Sequence, residues 1–292
     1  MKHAISALAL TAACLVPSLA AQPKTADVYV SVVDSKGEPV TDLRADEFRV
    51  REDGTAREVL KAGPATEPLT VALLVDDSQA TTPASQMIRE AVDAFIGSLA
   101  GKAEIALITF GERPTILVDY TKDQQKLLTG AKRIFPRANA GAYLMEALVE
   151  VSRGFQNRKP ARPVIAVLMM ENSVEFSNRY HENVTSDVIK SGAALHVISL
   201  GQPGNTMADE VRNRDQAVAT ATERTGGRRD NVLALTAAAS RMKQLSNELQ
   251  HQYLVTYGRP DTLIPPDKME VTVSRSGVTA RARTRTGVVG AK

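Results

Sequence analysis

Two carboxylates and a hydroxyl follow the first predicted buried strand of the chain. Val71–Val75 is entirely apolar and leads directly into Asp76, Asp77 and Ser78. In open parallel sheets, ligands bind beyond the carboxyl ends of the strands, and carboxylate and hydroxyl oxygens suit a hard cation such as Mg²⁺. The spacing therefore predicts a candidate site after this strand. The alternative is structural, with Asp76 accepting hydrogen bonds from loop amides.

Motifs for other chemistry do not occur in the sequence. Neither glycine-rich phosphate-binding pattern follows a predicted strand, and there is no G-x-S-x-G nucleophile motif. The glycines of Thr225–Arg228 follow a predicted helix, so they indicate a helix stop rather than a phosphate loop. The histidines are isolated, and His196, inside a predicted strand, is interpreted as a satisfied core or sheet-edge residue. The sequence therefore favours a protein that is not an enzyme.

The central part of the chain alternates buried strands with helices. Its apolar runs predict the strands Val71–Val75, Ile105–Phe110, Val164–Met170, Ala194–Leu200 and Val232–Leu235. Apolar residues recur at helical spacing between them, while the helix in Asp209–Arg229 mixes both charges and is interpreted as a solvated face. This order predicts an α/β fold class with a Rossmann-like, doubly wound and mostly parallel sheet.

Two β-rich segments flank this part. Val28, Val30 and Val32 mark a period of two, and the same period in 269–286 predicts a hairpin. A hairpin alone is marginally stable, so we expect it to pair with the N-terminal strands and to close a small β-sandwich. Gly63–Pro68 is taken as a linker. The predicted organisation is 1–20 signal peptide, 21–67 N-terminal β segment, 68–258 α/β domain and 259–292 C-terminal β tail.

The N-terminus has the pattern of an export signal. Lys2 and His3 precede an apolar run of signal-peptide length, and small residues at Ser18 and Ala20 indicate cleavage after Ala20. Cys14 leaves open a lipid anchor, although the residues before it fit a lipoprotein motif poorly. No later stretch is long or apolar enough for a membrane span. We therefore expect an exported protein, periplasmic or extracellular, with no transmembrane segment.

Composition excludes further classes. The only cysteine of the chain lies in the predicted signal peptide, which excludes disulfides and thiol chemistry from the mature protein. The formal net charge is only +3, and aromatic residues make up 4% of the chain without any Trp. Nucleic-acid binding needs a strongly basic face or stacking platforms. We therefore expect no nucleic-acid partner, and the sequence does not indicate an oligomeric state.

Several motifs together resemble one family. Val71–Ala80 resembles the first motif of von Willebrand factor type A domains, an apolar strand that ends in Asp-x-Ser-x-Ser. The segments Val30–Val40 and Leu43–Gly54 resemble the leader of a bacterial exported group, the VWFA-related, Acidobacterium-type proteins. Leu249–Tyr257 resembles the usual end of the α/β domain in that group. The resemblance covers nearly the whole mature chain and implies the α/β fold already predicted.

The resemblance also implies a metal-ion-dependent adhesion site, but one in degenerate form. Asp76 and Ser78 match the first two ligands, whereas Ala80 stands where the second Ser is expected and Ala142 replaces a coordinating Thr. Glu171 takes the place of an Asp after the third strand. We therefore expect no cofactor, and any weakly held Mg²⁺ would be bound by Asp76, Ser78 and Glu171. The implied binding rim comprises Asp76, Asp77, Ser78, Ala142, Tyr143, Glu171 and Asn172.

The family resemblance implies binding as the function. We expect a non-enzymatic adhesion-type module that binds a protein or cell-surface ligand through the loop rim, with Tyr143, Phe176 and Tyr180 as aromatic candidates. A structural role in a cell-envelope assembly is the alternative, and a metal-dependent enzyme is a distant third. The arginines of the tail strand, Arg281, Arg283 and Arg285, share one face. That face is interpreted as solvated, with contact to an acidic polymer or lipid headgroups as the alternative.

Overall fold

The computed structural model describes residues 24–204, 208–260 and 266–284. The predicted signal peptide, Cys14 and Arg285 lie outside these residues. The described strands are β1 Thr25–Asp34, β2 Phe48–Glu52, β3 Thr55–Arg57, β4 Val59–Pro64, β5 Leu69–Val75, β6 Ala103–Thr109, β7 Thr115–Thr121, β8 Arg162–Met170, β9 Ala194–Leu200, β10 Arg229–Val232, β11 Tyr253–Gly258, β12 Met269–Val273 and β13 Val278–Ala282. The described α-helices are α1 Ser85–Leu99, α2 Gln124–Ala131, α3 Leu144–Arg158, α4 His181–Ser191, α5 Asp209–Thr225 and α6 Ala238–Gln250. Within this part, no helix is both long and apolar enough to cross a membrane.

A six-stranded sheet forms the centre of the α/β part. Its order is β10-β9-β8-β5-β6-β7, and every pair is parallel except the edge pair β6–β7. All seven residues of β5 are buried, because α1 and α6 cover one face of the sheet while α3, α4 and α5 cover the other. This confirms the predicted doubly wound α/β class. The winding reverses between β5 and β8, so their carboxyl ends flank the crevice where such sheets bind ligands.

The last strand of this sheet lies earlier than predicted. The structure places β10 at Arg229–Val232 instead of Val232–Leu235, and Leu235 begins a short 3-10 helix. Apolar runs in the sequence do not reveal this strand, because it is an edge strand with three polar residues, Arg229, Asp230 and Asn231. An edge strand is covered on fewer sides, so it needs no continuous apolar run.

A β-sandwich lies beside the α/β part. One sheet has the order β13-β1-β11-β4 and the other β12-β2-β3, and their inner faces meet through residues such as Val30, Phe48 and Val255. As predicted, the tail pairs with the N-terminal strands, β13 with β1 and β12 with β2. The predicted hairpin is wrong, because β12 and β13 belong to different sheets. A period of two reports the buried face of a strand but not its pairing partner.

One strand near the predicted domain end also belongs to the sandwich. β11 lies between β1 and β4 rather than in the central sheet. β4 extends through Gly63 and Pro64, which the sequence analysis assigned to the linker, and Pro64 pairs with Tyr253. Proline is tolerated there because β4 is an edge strand that need not donate on both sides. The chain therefore re-enters the sandwich directly after α6.

β13 connects the sandwich to the α/β part. Arg283 Nη2 donates to the carbonyl of Gly192 at the end of α4 (2.9 Å), and the amide of Thr284 donates to the carbonyl of Arg224 near the end of α5 (3.1 Å). Arg281 and Arg283 are half-buried, so their interpretation as a solvated face is wrong. Helix C-termini leave carbonyls without intrahelical donors, and cationic side chains are favourable there.

Candidate functional site

Asp76 lies at the point where the sheet reverses its winding and is fully buried. Its Oδ1 accepts a hydrogen bond from the amide of Ser78 (2.8 Å), and its Oδ2 accepts from the amide of Met170 (3.1 Å) and from the hydroxyl of Ser173. Burial raises the pKa of the Asp76 carboxyl, and these hydrogen bonds oppose the shift. Asp76 therefore joins the carboxyl ends of β5 and β8.

Ser173 is the partner of Asp76 that sequence reasoning missed. Besides Asp76, its hydroxyl oxygen lies 3.2 Å from the hydroxyl of Ser78, and the side chain is almost completely buried. Ser173 follows a turn at Glu171 and Asn172, so no strand or helix period in the sequence reports the direction of its side chain.

Asp77 makes a second set of contacts, to different loops. Its Oδ1 accepts from the amide of Gly111 (2.6 Å) after β6, and its Oδ2 accepts from Arg137 Nε (2.8 Å) before α3. Arg137 Nη1 also donates to Glu112 (3.1 Å). A Cβ at Gly111 would lie 2.6 Å from Asp77 Oδ1 and 2.8 Å from the amide nitrogen of Ser78, so only glycine fits there.

Glu171 faces the edge of the sheet. Its Oε1 accepts from Arg229 Nη2 (3.0 Å), and its Oε2 accepts from Asn231 Nδ2 (3.2 Å), both on β10. The two oxygens of this proposed ligand are thus engaged by donors from another strand. The structure brings Asp76, Asp77 and Ser78 together at one place, while Glu171 is bonded towards β10.

The residues after β8, 171–178, begin with a turn at 171–172 and continue as an irregular segment, and we call them the rim strip. Its burial alternates strictly: the inward side chains are Glu171, Ser173, Glu175 and Ser177, and the outward ones are Asn172, Val174, Phe176 and Asn178. Val174 is 40% exposed and Phe176 is 51% exposed. The buried side is therefore entirely polar, whereas the solvent side carries the apolar residues, which reverses the usual arrangement.

Ala142 holds the middle of the rim strip by its backbone. Its amide donates to the carbonyl of Val174, and its carbonyl accepts from the amide of Phe176, both at 2.8 Å. The side chain of Ala142 is fully buried, so this predicted rim residue has no side-chain surface to offer a partner. Its contribution to the site is the placement of the strip.

The inward side chains of the strip also cap α3. Glu175 Oε1 accepts from the amide of Met145 (3.5 Å), and Ser177 Oγ accepts from the amide of Glu146 (3.3 Å). The first amides of a helix have no intrahelical acceptor, and Tyr143, the N-cap residue, makes no side-chain cap. Burial raises the pKa of Glu175 to about 7. The strip and α3 are therefore fixed to each other.

Arg214 supports the strip from α5 and was also missed. It is 1% exposed, and its Nη1 donates to the carbonyl of Ser173 (2.7 Å) while Nη2 donates to Asp215 (2.9 Å). The interpretation of this helix as a solvated face is therefore wrong for one side. The signal was its spacing, because Arg214 precedes Ala217, Val218 and Ala221 by three, four and seven residues and so shares their buried face.

Aromatic side chains surround the strip. The rings of Tyr143 and Phe176 meet edge to face with centroids 6.2 Å apart, and Tyr180 is 73% exposed. A Cβ on Gly141 would lie 2.5 Å from the Phe176 ring, so Phe176 rests directly on a glycine. Asn172, another predicted rim residue, is exposed, and so are Gln79 and Thr82 in the loop after β5, while Thr81 is buried. An apolar surface with a polar border results.

The residues at the switch point do not fit a divalent cation. Asp76 and Ser78 are hydrogen-bonded to Ser173, Glu171 is bonded to β10, and the guanidinium of Arg137 already lies on Asp77. No group of three or more His, Cys, Asp or Glu side chains in the described ranges has the arrangement of a metal site. Mg²⁺ requires several oxygen ligands in nearly octahedral geometry, and no such set converges on Asp76.

Comparison with known proteins shows which proteins this chain resembles in sequence and in fold. The family model described as von Willebrand factor type A domain matches residues 71–172. A von Willebrand factor type A structure from Catenulispora acidiphila is similar over 90% of this chain and 74% of its own, with 10% identity and a TM-score of 0.54. No curated protein sequence is significantly similar to the chain.

A mussel protein provides a second structural likeness. Proximal thread matrix protein 1 from the mussel byssus, in a structure described as having a zinc-occupied MIDAS motif, is similar over 68% of this chain. The match covers 49% of the mussel chain, with 13% identity and a TM-score of 0.51. Such identities report the fold, and they agree with the family match. Residues 71–172 of this chain therefore match the von Willebrand factor type A domain in sequence, and the α/β part resembles such domains in fold.

Proposed function

We propose that this protein is an exported, non-enzymatic binding module that engages a protein or cell-surface ligand through the rim at the carboxyl end of its central sheet. The observation that carries this proposal is the reversed polarity of the rim strip. Polar groups cost free energy when buried unless they are hydrogen-bonded, and an exposed Phe or Val forgoes about 1.5–3 kcal/mol of burial. A partner that covers Val174 and Phe176 would recover that stabilisation.

The distribution of exposed apolar residues supports the same surface. Seven large hydrophobic side chains are exposed in the described part of the chain. Five of them follow strands or precede helices at the carboxyl end of the sheet, namely Phe135, Val174, Phe176, Tyr180 and Leu233. Exposed apolar residues that are scattered singly need no explanation, whereas neighbouring ones such as Val174 and Phe176 mark an interaction surface.

The non-enzymatic part of the proposal has its own support. Asp76 and Ser173, the carboxylate and hydroxyl nearest the switch point, are 0% and 1% exposed. A catalytic acid or nucleophile must come within hydrogen-bonding reach of its substrate, and these groups are covered by the rim strip. Their hydrogen bonds join loops of the domain, which is a structural role.

Binding is tested by capture with matched variants. Biotinylated mature protein is incubated with cell-envelope extract of the producing organism, and captured proteins are quantified by mass spectrometry. A Val174→Ser/Phe176→Ser double variant removes the apolar face of the strip. Leu60→Ser is the control, because Leu60 is 44% exposed on β4 in the sandwich. We expect at least a tenfold loss of one specific protein with the double variant and full capture with the control. Equal capture by all three proteins would refute the rim as the binding surface.

Export is tested independently of binding. The full chain is expressed in a bacterial host, and the mature product is isolated from the periplasm and medium for intact-mass measurement. We expect a chain that begins at Ala21, as the signal-peptide pattern indicates. A cytoplasmic product that retains Met1 or Lys2 would contradict export, and a lipid-modified N-terminus at Cys14 would favour the membrane-anchored alternative.

A further inference from the structure

The loops around Asp77 are closed by the protein's own groups. Arg137 donates through Nε to Asp77 (2.8 Å) and through Nη1 to Glu112 (3.1 Å), while its backbone amide donates to the carbonyl of Asp77 (2.9 Å). Arg137 thus holds three loops together: the one after β5, the one after β6 and its own loop before α3. It is a fixed cation between two carboxylates, at the carboxyl edge of the sheet.

Further bonds join the same loops without any charge. The amide of Gln79 donates to the carbonyl of Ala140 (3.0 Å), and the Gln79 side-chain oxygen accepts from the amide of Asn139 (2.9 Å). The amide of Glu112 donates to the carbonyl of Gly141 (3.0 Å). The segment that supports Phe176 is therefore attached to both neighbouring loops through protein hydrogen bonds.

Asp76 closes the other side of the crevice. Its hydrogen bond from the hydroxyl of Ser173 and its contact with the amide of Met170 join β5 to the rim strip. Together with Arg137, these bonds connect the loops after β5, β6 and β8 and the loop before α3. The carboxylates on the β5 loop, Asp76 and Asp77, are each satisfied by donors from other elements.

We infer that Arg137 and Ser173 replace a bound divalent cation in this domain, so that the rim is set by an internal guanidinium and a hydroxyl and needs no metal. Since the rim is the binding surface in the proposed function, on which this consequence rests, partner binding would persist in the presence of a chelator. A divalent cation at Asp76 and Ser78 would have to displace the hydroxyl of Ser173 and shed much of its own hydration, and Mg²⁺ dehydrates reluctantly.

The charge of Arg137 also disfavours the binding of a metal cation near Asp77. The hydrogen bond to Asp77 is the main cause of the raised pKa of Arg137. Arg137 therefore remains protonated at any pH at which a metal would bind. Like charges a few ångströms apart repel each other strongly where solvent is partly excluded. An ion bound by Asp76 and Ser78 would therefore be held by the chain neighbours of Asp77, whose charge is already paired with the permanent cation of Arg137.

The test uses the mature protein alone, so it does not depend on any partner. Thermal unfolding of the wild type is followed after chelator treatment, with and without millimolar Mg²⁺ or Mn²⁺, and the same metals are titrated by calorimetry. We expect no saturable heat and a Tm that changes by less than about 1 °C. Saturable binding that the isosteric variant Asp76→Asn abolishes would overturn the inference.

The role of Arg137 is tested by substitution. Arg137→Gln is compared with Arg113→Gln, because Arg113 is an exposed arginine close by. We expect Arg137→Gln to lower the Tm by about 2–6 °C and Arg113→Gln to leave it within about 1 °C. Equal effects of the two substitutions would overturn the assignment of Arg137. A failure here would leave the capture experiment unaffected, because that experiment depends on Val174 and Phe176 rather than on metal.

Discussion

The carboxylate of Glu248, at the end of α6, lies 2.7 Å from the guanidinium of Arg281 on β13. The same carboxylate is 3.1 Å from Arg228, which also forms an ion pair with Asp230. Glu248 is 1% exposed, so its charge depends on neighbouring protein groups, among them these two arginines, rather than on solvent. The ion pair between Glu248 and Arg281 therefore joins the last strand of the sandwich to the α/β domain.

Replacing Glu248 should separate these two parts energetically. Glu248→Gln leaves Arg281 and Arg228 partly buried without their shared carboxylate, and breaking a buried ion pair from one side costs about 3–5 kcal/mol. Because both arginines keep some solvent contact, we expect a loss of about 2–4 kcal/mol in the free energy of unfolding. Urea denaturation followed by circular dichroism measures it.

The matched control for this substitution is Glu223→Gln. Glu223 is exposed on α5, and surface substitutions of this kind usually change stability by less than about 0.5 kcal/mol. Similar losses for the two variants would show that Glu248 does not join the domains. A loss for Glu248→Gln in which the sandwich unfolds before the α/β domain would support the joining role directly.

His196 makes the same region sensitive to acid. It is fully buried on β9, and neither ring nitrogen has a hydrogen-bond partner among the described residues, so the core position was predicted correctly but its satisfied state was not. Burial lowers the pKa of His196 to about 4. The native state keeps the ring neutral, while the unfolded chain takes up a proton below about pH 6.5. His196 therefore removes stability as pH falls from 6.5 towards 4.

Substitution of His196 should flatten this pH dependence. We expect the wild type to lose about 2–3 kcal/mol more than His196→Leu between pH 7 and pH 4.5. Glu175, with its pKa raised to about 7, adds stability as the pH falls through this range. The pKa of Glu248 is lowered by its cationic neighbours against the effect of burial, so Glu248 changes the stability only below about pH 4.5. Glu175 is present in both proteins, so its contribution cancels. Glu248 interacts electrostatically with His196, but its pKa is lowered and it therefore titrates below the compared range. Parallel stability curves from urea denaturation across this range would contradict a neutral buried His196.

The sequence predicts the central sheet well because its strands are buried on both faces. Such strands require continuous apolar runs, and β5, β8 and β9 have them. The sandwich strands β11, β12 and β13 are buried on one face only. Their period of two identifies strands, but which strands pair depends on contacts far apart in the chain, and β11 was consequently placed in the wrong part.

The candidate site was predictable only in part, for a similar reason. Asp76 follows an apolar strand, so its position at the carboxyl edge could be inferred. Ser173 contacts Asp76 and Arg137 contacts Asp77, both from irregular loops, where no hydrophobic period reports the direction of a side chain. Glu171 was assigned by motif spacing as a ligand near Asp76, whereas the structure bonds it to Arg229 and Asn231.

The rim strip offers a direct test of its reversed polarity. Ser173→Ala removes the hydroxyl that donates to the fully buried Asp76, and an unsatisfied buried acceptor costs about 1–3 kcal/mol. Val174→Ser removes an exposed apolar side chain and should change stability by less than about 0.5 kcal/mol. In an ordinary strand the order would be the opposite. Chemical denaturation of both variants measures the two changes in the free energy of unfolding. A larger loss of stability for Val174→Ser than for Ser173→Ala would contradict the assigned faces.

Two helix-ending glycines separate backbone conformation from packing against β13. Gly192 and Gly226 both end a helix with positive φ, 75° and 76°, so an alanine at either position is strained by about 1–2 kcal/mol. A Cβ on Gly192 meets no atom closer than 3.7 Å, whereas a Cβ on Gly226 would lie 2.3 Å from the carbonyl carbon of Ala282. Only the second substitution forces β13 away from α5.

We therefore expect Gly226→Ala to destabilise the protein by about 1–3 kcal/mol more than Gly192→Ala, the excess being the cost of overpacking. Urea denaturation measures both losses, and amide hydrogen exchange locates the excess. Exchange should increase along β13 and the adjoining end of α5 in Gly226→Ala but not in Gly192→Ala, because the hydrogen bond from Thr284 to Arg224 lies at that contact. Equal losses with unchanged exchange along β13 would mean that the strand is not held against Gly226.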